Sequence, residues 1–143
     1  MNKIEEIASK HLGKAGDGSV VKPYVTPDNV DPDLLVGIPR ELNRTAYGID
    51  EKNLPFVGFD RWTCYEFSTL TENGFPVSGT LVYNVPVTSP NITESKSSKL
   101  YMNSYNMDNL GEDEYMVKHN VCNQVQKDLA TCSQGNVEVE LHI

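Results

Sequence analysis

The sequence predicts an α+β fold in which helices cover one face of an antiparallel sheet. Three observations carry that expectation. "FDRWTCYEFSTL" and "PVSGTLVYNVPV" mix aromatic and β-branched residues with partial alternation, and "TENGF" between them holds Asn73-Gly74, the strongest short hairpin signal. "EDEYMVKHNVCNQVQKDLATC" repeats apolar residues at helical spacing. "VEVELHI" alternates as a strand with one apolar face.

Taken in order, residues 1–57 are crowded with turn formers, as in "GKAGDGSVVKPYVTPDNVDPDLLVGIPRELNRTAYG". They read as an irregular N-terminal arm with a helical turn before Leu12, pinned to the body by Leu34, Leu35, Ile38 and Leu42. Disorder is the alternative for residues 1–29. Residues 58–143 form the body. Pro86 and Pro90 end its second strand. A weaker helical pattern starts at Ser97, runs through "SKLYMNSYN" and is broken by Gly111. In the long helix Tyr115, His119, Cys122, Val125, Leu129 and Cys132 are expected on one face. Glu112, Asp113 and Glu114 fall in its first turn, where the helix dipole favours them. Gly135 is the expected stop. In the last strand Val137, Val139, Leu141 and Ile143 share a face.

Composition narrows the function classes. A chain of 143 residues with 38% hydrophobic content supports one domain and one modest core. A net charge of -8 argues against binding a nucleic-acid backbone, which needs a basic face, but allows a local basic pocket. No run reaches the roughly 18 apolar residues of a membrane span, and "MNKIEEIASKHLGK" has no signal-peptide core. Cys64, Cys122 and Cys132 are odd in number and show no CxxC spacing, so a reduced, cytoplasmic protein without a disulfide framework is expected. All three read as buried structural cysteines. His119 reads as a core-edge residue, His11 and His142 have no partners in sequence, and no metal-ligand spacing exists.

One stretch carries possible chemistry: "SPNITESKSSKLYMNSYN", residues 89–106. Glu94 lies just after a strand and just before a helix. A carboxylate there can accept two parallel hydrogen bonds, such as a ring N–H and an exocyclic amine on a guanine-like base. The N–H groups of the new helix, with Lys96 and Lys99, suit an anion such as phosphate. The plainer alternative makes Ser95 an N-cap, Glu94 a solvated charge and the lysines an exposed face. The physics of these residues taken alone favours the plainer alternative.

"TSPNITESKSSKLYMNSYN" resembles the signature of the NADPH-dependent 7-cyano-7-deazaguanine reductases, the nitrile reductases of queuosine biosynthesis. "DPDLLVGIPRELNR", "NLPFVGFDRWTCYEFSTL" and "KDLATCSQGNVEVELHI" resemble the N-terminal half of the two-module form of that family, so the similarity spans about Leu12 to Ile143. The resemblance implies a tunnelling fold: a hairpin, two helices and a second hairpin, whose last strand is missing here. It implies association of modules through their sheets, in a homo-oligomer or a hetero-complex, with substrate pockets between modules. It assigns Thr93, Glu94 and Ser95 to a 7-deazaguanine-type substrate, with Glu94 gripping the base edge, and Ser95 and Lys96 to NADPH.

The family's chemistry needs a cysteine to attack the nitrile and an aspartate to donate a proton. In catalytic modules both come from a segment between the first two strands. The corresponding segment here is "TLTENGFPVSG", where Thr71 stands in the place of the cysteine and Val77 in that of the aspartate. The expectation is a substrate-gripping module without catalytic residues of its own. Three origins fit it: one half of a split reductase that needs a Cys/Asp-bearing partner, a fragment, or a catalytically silent paralogue that binds a deazapurine or serves assembly. The edge of the sheet at "VEVELHI" is expected to invite pairing with another chain.

Overall fold

A computed structural model describes residues 25–143. A 3-10 turn, Pro32–Leu34, leads into strand β1 (Gly37–Pro39) and helix α1 (Arg40–Ala46). Then follow β2 (Phe59–Leu70), β3 (Pro76–Pro86), β4 (Asn91–Thr93), α2 (Ser95–Asn103), α3 (Glu114–Ser133) and β5 (Glu138–His142). The architecture is α+β. A three-stranded antiparallel sheet has the order β2-β3-β5, and β1 pairs with β4 in a separate two-stranded sheet. Among the described residues no strand pairs with the outer edge of β5.

The hairpin β2–β3 runs in register from Phe59↔Pro86 to Leu70↔Pro76. Gly74 N–H donates to the Thr71 carbonyl at 2.9 Å, and Gly74 takes φ 83. The Asn-Gly pair thus serves a turn that closes on a left-handed glycine, where a Cβ would be strained. The register shifts between Cys64 and Phe67, so Tyr65 and Glu66 together face Thr80. This bulge re-aims the outer strand midway along its length.

Alternate residues of the sheet, Phe67, Leu81, Tyr83, Val85 and Leu141, form the core with Tyr101, Met102 and Tyr105 and with the valines of α3. The face of α3 differs from the sequence expectation. Val117, Val121, Val125 and Leu129 are buried, whereas Tyr115 and His119 are exposed. Both sets fit helical spacing and share Val125 and Leu129. The four-residue valine step turns the stripe away from the larger Tyr115. Asp113 caps α3 by accepting from Met116 N–H at 2.8 Å. The C-terminal stop is Gln134, left-handed at φ 59, and not Gly135. Gly135 has a packing reason: a Cβ there would lie 2.7 Å from the Cβ of Ser89.

Residues 30–46 carry more structure than the turn-rich sequence suggests. Val30 N–H donates to Asp108 at 2.9 Å and Asp31 N–H to Ser104 Oγ at 3.1 Å, while Leu34 and Leu35 pack against the core. In α1 the buried residues are two arginines one turn apart. Arg40 bonds Asp60 at 2.8 Å and Ser89 at 3.1 Å. Arg44 bonds Glu51 at 3.0 Å and the Val87 carbonyl at 2.7 Å. Apolar periodicity has no means of finding such a helix. The helical turn expected before Leu12 lies outside the described residues.

Tyrosines bring polar groups into the core. Tyr105 and Tyr101 hydroxyls lie 2.8 Å apart, and Tyr101 donates to Asp128 at 2.6 Å. Burial raises the pKa of Tyr101 and Tyr105, and pushes Tyr83 up to about 12. Because the unfolded phenol ionises near 10, stability is fully present below pH ~10 and is lost as pH rises towards the folded value. Tyr83 alone accounts for about 2–3 kcal/mol of that loss. A spectrophotometric titration is expected to show these three of the seven tyrosines ionising only with alkaline unfolding. Reversible ionisation of all seven near pH 10 in the folded chain would contradict it.

Candidate functional site

The stretch 93–99 begins where β4 ends. Thr93 pairs with Gly37 in the β1–β4 ladder, which fixes the direction in which the chain enters α2. Glu94 N–H donates to the Val36 carbonyl at 2.8 Å, and Val36 N–H donates to Ser97 Oγ at 3.0 Å. Ser97 Oγ in turn donates to the Glu94 carbonyl at 2.8 Å. Tyr83 and Ser98 share a hydrogen bond of 2.9 Å, tying the same turn to the sheet.

The turn divides the candidate residues into two groups. Thr93, Glu94, Ser97 and Ser98 are buried, and Ser95, Lys96 and Lys99 are exposed. Thr93 Oγ1 lies 3.6 Å from Cys132 Sγ, under the start of the helix. Glu94 is 6% exposed. One of its oxygens accepts from Lys96 N–H at 3.0 Å and the other from Ser97 N–H at 2.6 Å. Glu94 itself is therefore the N-cap of α2, with backbone angles φ -65 and ψ 136. This corrects the plainer sequence alternative on two counts: the cap is not Ser95, and the carboxylate is not solvated. It also changes the anion-site idea, because two of the helix's first N–H groups already hold a carboxylate of the same chain.

Beside this turn a cleft of about 540 Å3 opens between α2 and the bulged part of β2. Trp62 and Tyr83 form part of its wall, with ring planes 6° apart and centroids 6.0 Å apart. Ser95, Ser98 and Lys99 lie on the α2 side, and Glu66 on the β2 side. Of the candidate substrate and cofactor residues, only Ser95 lines the cleft. The sequence reading passed over Trp62, Tyr83 and Ser98. The first two meet as cross-strand partners, and no spacing along the chain brings either to Ser98.

Thr71 follows β2 in the hairpin turn, and Val77 lies near the start of β3. Thr71 is held in the turn: its N–H donates to the Phe75 carbonyl at 2.8 Å, its hydroxyl accepts from Phe75 N–H at 3.1 Å, and its carbonyl accepts from Asn109 at 2.6 Å. Val77 is a core residue. The three cysteines are partly buried, less deeply than expected, and unbridged. Burial raises the pKa of each thiol, so the reactive thiolate is disfavoured at neutral pH. Cys64 does line the cleft, where burial raises its pKa. His119 is exposed, with Nε2 3.1 Å from Asn123. Among the described residues no His/Cys/Asp/Glu group could hold a metal ion, and no helix is long and apolar enough to cross a membrane.

A family model described as nitrile reductase, 7-cyano-7-deazaguanine reductase N-terminal, matches residues 26–141.

Proposed function

We propose, from the premise that the chain belongs to this family of 7-cyano-7-deazaguanine reductase N-terminal domains, that it is the substrate-gripping half of a nitrile reductase site. The family reduces 7-cyano-7-deazaguanine in queuosine biosynthesis and in general uses NADPH. In this reading residues 58–143 are the module and residues 1–57 its arm. Thr93 and Ser95 border the substrate, and Glu94 holds the ring N–H and exocyclic amine of its base edge. Ser95 and Lys96 face the cofactor. A Cys- and Asp-bearing module supplies the nucleophile and the proton donor.

What supports this reading is a contrast between two groups of residues in the chain. The turn 93–99 collects a carboxylate, hydroxyls and lysines at the start of α2, while Thr71 and Val77 are locked in a turn and in the core. The first group can bind and orient a polar planar ligand. In the second group a threonine hydroxyl without a neighbouring base is a poor nucleophile, and Val77 has no proton to give. The residues around Ser95 fit a nucleotide cofactor. Its hydroxyl is exposed, Lys96 and Lys99 supply positive charge, and the adjoining cleft has an aromatic wall. NADPH, when bound, supplies the hydride. This chain contributes position and charge neutralisation.

Intact-mass spectrometry tests the division. After incubation with 7-cyano-7-deazaguanine the chain is expected to keep its own mass, because burial disfavours the thiolate that would form the thioimide at all three cysteines. A stoichiometric adduct on Cys64, Cys122 or Cys132 would overturn the assignment.

A further inference from the structure

Glu94 has two tasks that use the same two carboxylate oxygens. An ionised carboxylate offers roughly four acceptor sites, two on each oxygen. A base edge with two parallel donors needs one site on each oxygen, on the same side of the group. In the structure each oxygen already serves a backbone donor, Lys96 N–H on one and Ser97 N–H on the other, so half of its acceptor capacity is spent on the helix and both oxygens are held against it. Little of Glu94 is open to a newcomer, since it is 6% exposed. The turn beneath it is held independently, through Val36, Ser97 and the Tyr83–Ser98 bond, and does not depend on the carboxylate.

From this geometry we infer that Glu94 is an exchangeable cap, which closes the N-terminus of α2 in the absence of ligand and leaves Lys96 and Ser97 N–H when it takes the base edge. The inference rests on the reading of Glu94 as the base ligand, and it adds a cost and a signature to that reading. The cost is the lost cap, which lowers apparent affinity by roughly 2- to 30-fold against a carboxylate that is free to bind. The signature is local. Two amides lose their acceptor at the moment the base gains one, while the Val36 and Tyr83 contacts keep α2 in place.

Amide NMR on the full chain, with 7-cyano-7-deazaguanine as the probe, reads this directly. The Lys96 and Ser97 resonances are expected to move upfield on titration, and their solvent exchange to accelerate by roughly 2- to 30-fold. If the probe shifts other resonances around the turn while these two amides stay protected, the exchange is overturned and the base reading survives. If no resonance responds at saturating probe, with the Cys- and Asp-bearing module also present, the base reading fails and the exchange fails with it. Glu94→Ser separates direct from indirect effects. Serine can cap but cannot hold the base edge, so in that variant the two amides are expected to ignore the probe. The same acceleration in Glu94→Ser would overturn the inference.

Discussion

Glu94→Ala is expected to weaken binding of 7-cyano-7-deazaguanine and also to destabilise the fold, whereas Glu94→Ser weakens binding alone. The two effects have separate origins. The carboxylate accepts two N–H donors at the start of α2, and loss of an N-cap costs about 0.5–2 kcal/mol. Serine is among the better capping residues, and the extended backbone at φ -65, ψ 136 suits it. It restores the cap but leaves a base edge with one small hydroxyl in place of a charged, two-point acceptor. Two charge-assisted hydrogen bonds at about 1.5–3 kcal/mol each, less the about 0.5–2 kcal/mol of cap given up on binding, give a net loss of roughly fivefold to ten-thousandfold in affinity. Equilibrium dialysis and urea denaturation on the three proteins check both parts. Retention of binding by Glu94→Ala would remove the site from this residue. Equal destabilisation by Ala and Ser would remove its role as a cap.

Asp128→Ala is expected to be the most destabilising polar substitution in the chain, at about 2–4 kcal/mol. Asp128 is 8% exposed and its Oδ2 accepts from Tyr101 at 2.6 Å and from Gln124 at 2.8 Å. Removing it leaves both donors without that acceptor, inside a core where Tyr101 and Tyr105 are fully buried. Unsatisfied buried donors cost about 1–3 kcal/mol each. Asp128→Asn keeps an acceptor oxygen of similar reach and is expected to lose clearly less. Denaturation midpoints of the two variants give the comparison. A loss below about 0.5 kcal/mol for Asp128→Ala would mean that water or a neighbour satisfies the network.

The sheet and the long helix were legible because their signals are local. The Asn73-Gly74 turn, the alternation of β3 and β5 and the helical spacing of α3 each depend on neighbours within a few residues. What escaped depends on distant partners. α1 buries Arg40 and Arg44 against Asp60, Ser89 and Val87, none of which the sequence places nearby. Asp128 is a charged residue of α3, and only the fold brings Tyr101 against it. The face of α3 was turned by the weight given to Tyr115 and His119, whereas packing selects the valines. At the candidate site the motif was visible but the job of each residue was not. Serine is the favoured cap by type, so Ser95 was the natural choice, yet the carboxylate one position earlier reaches both donors. The cleft wall of Trp62 and Tyr83 requires the strand pairing itself.

The central claim is that this chain grips the substrate and leaves the chemistry to a Cys- and Asp-bearing module. Loss of NADPH absorbance in the presence of 7-cyano-7-deazaguanine tests it most directly. With the chain alone the absorbance is predicted to stay constant. With a catalytic module added it should fall, and the fall should depend on Glu94. Steady NADPH consumption by the chain alone would contradict the account.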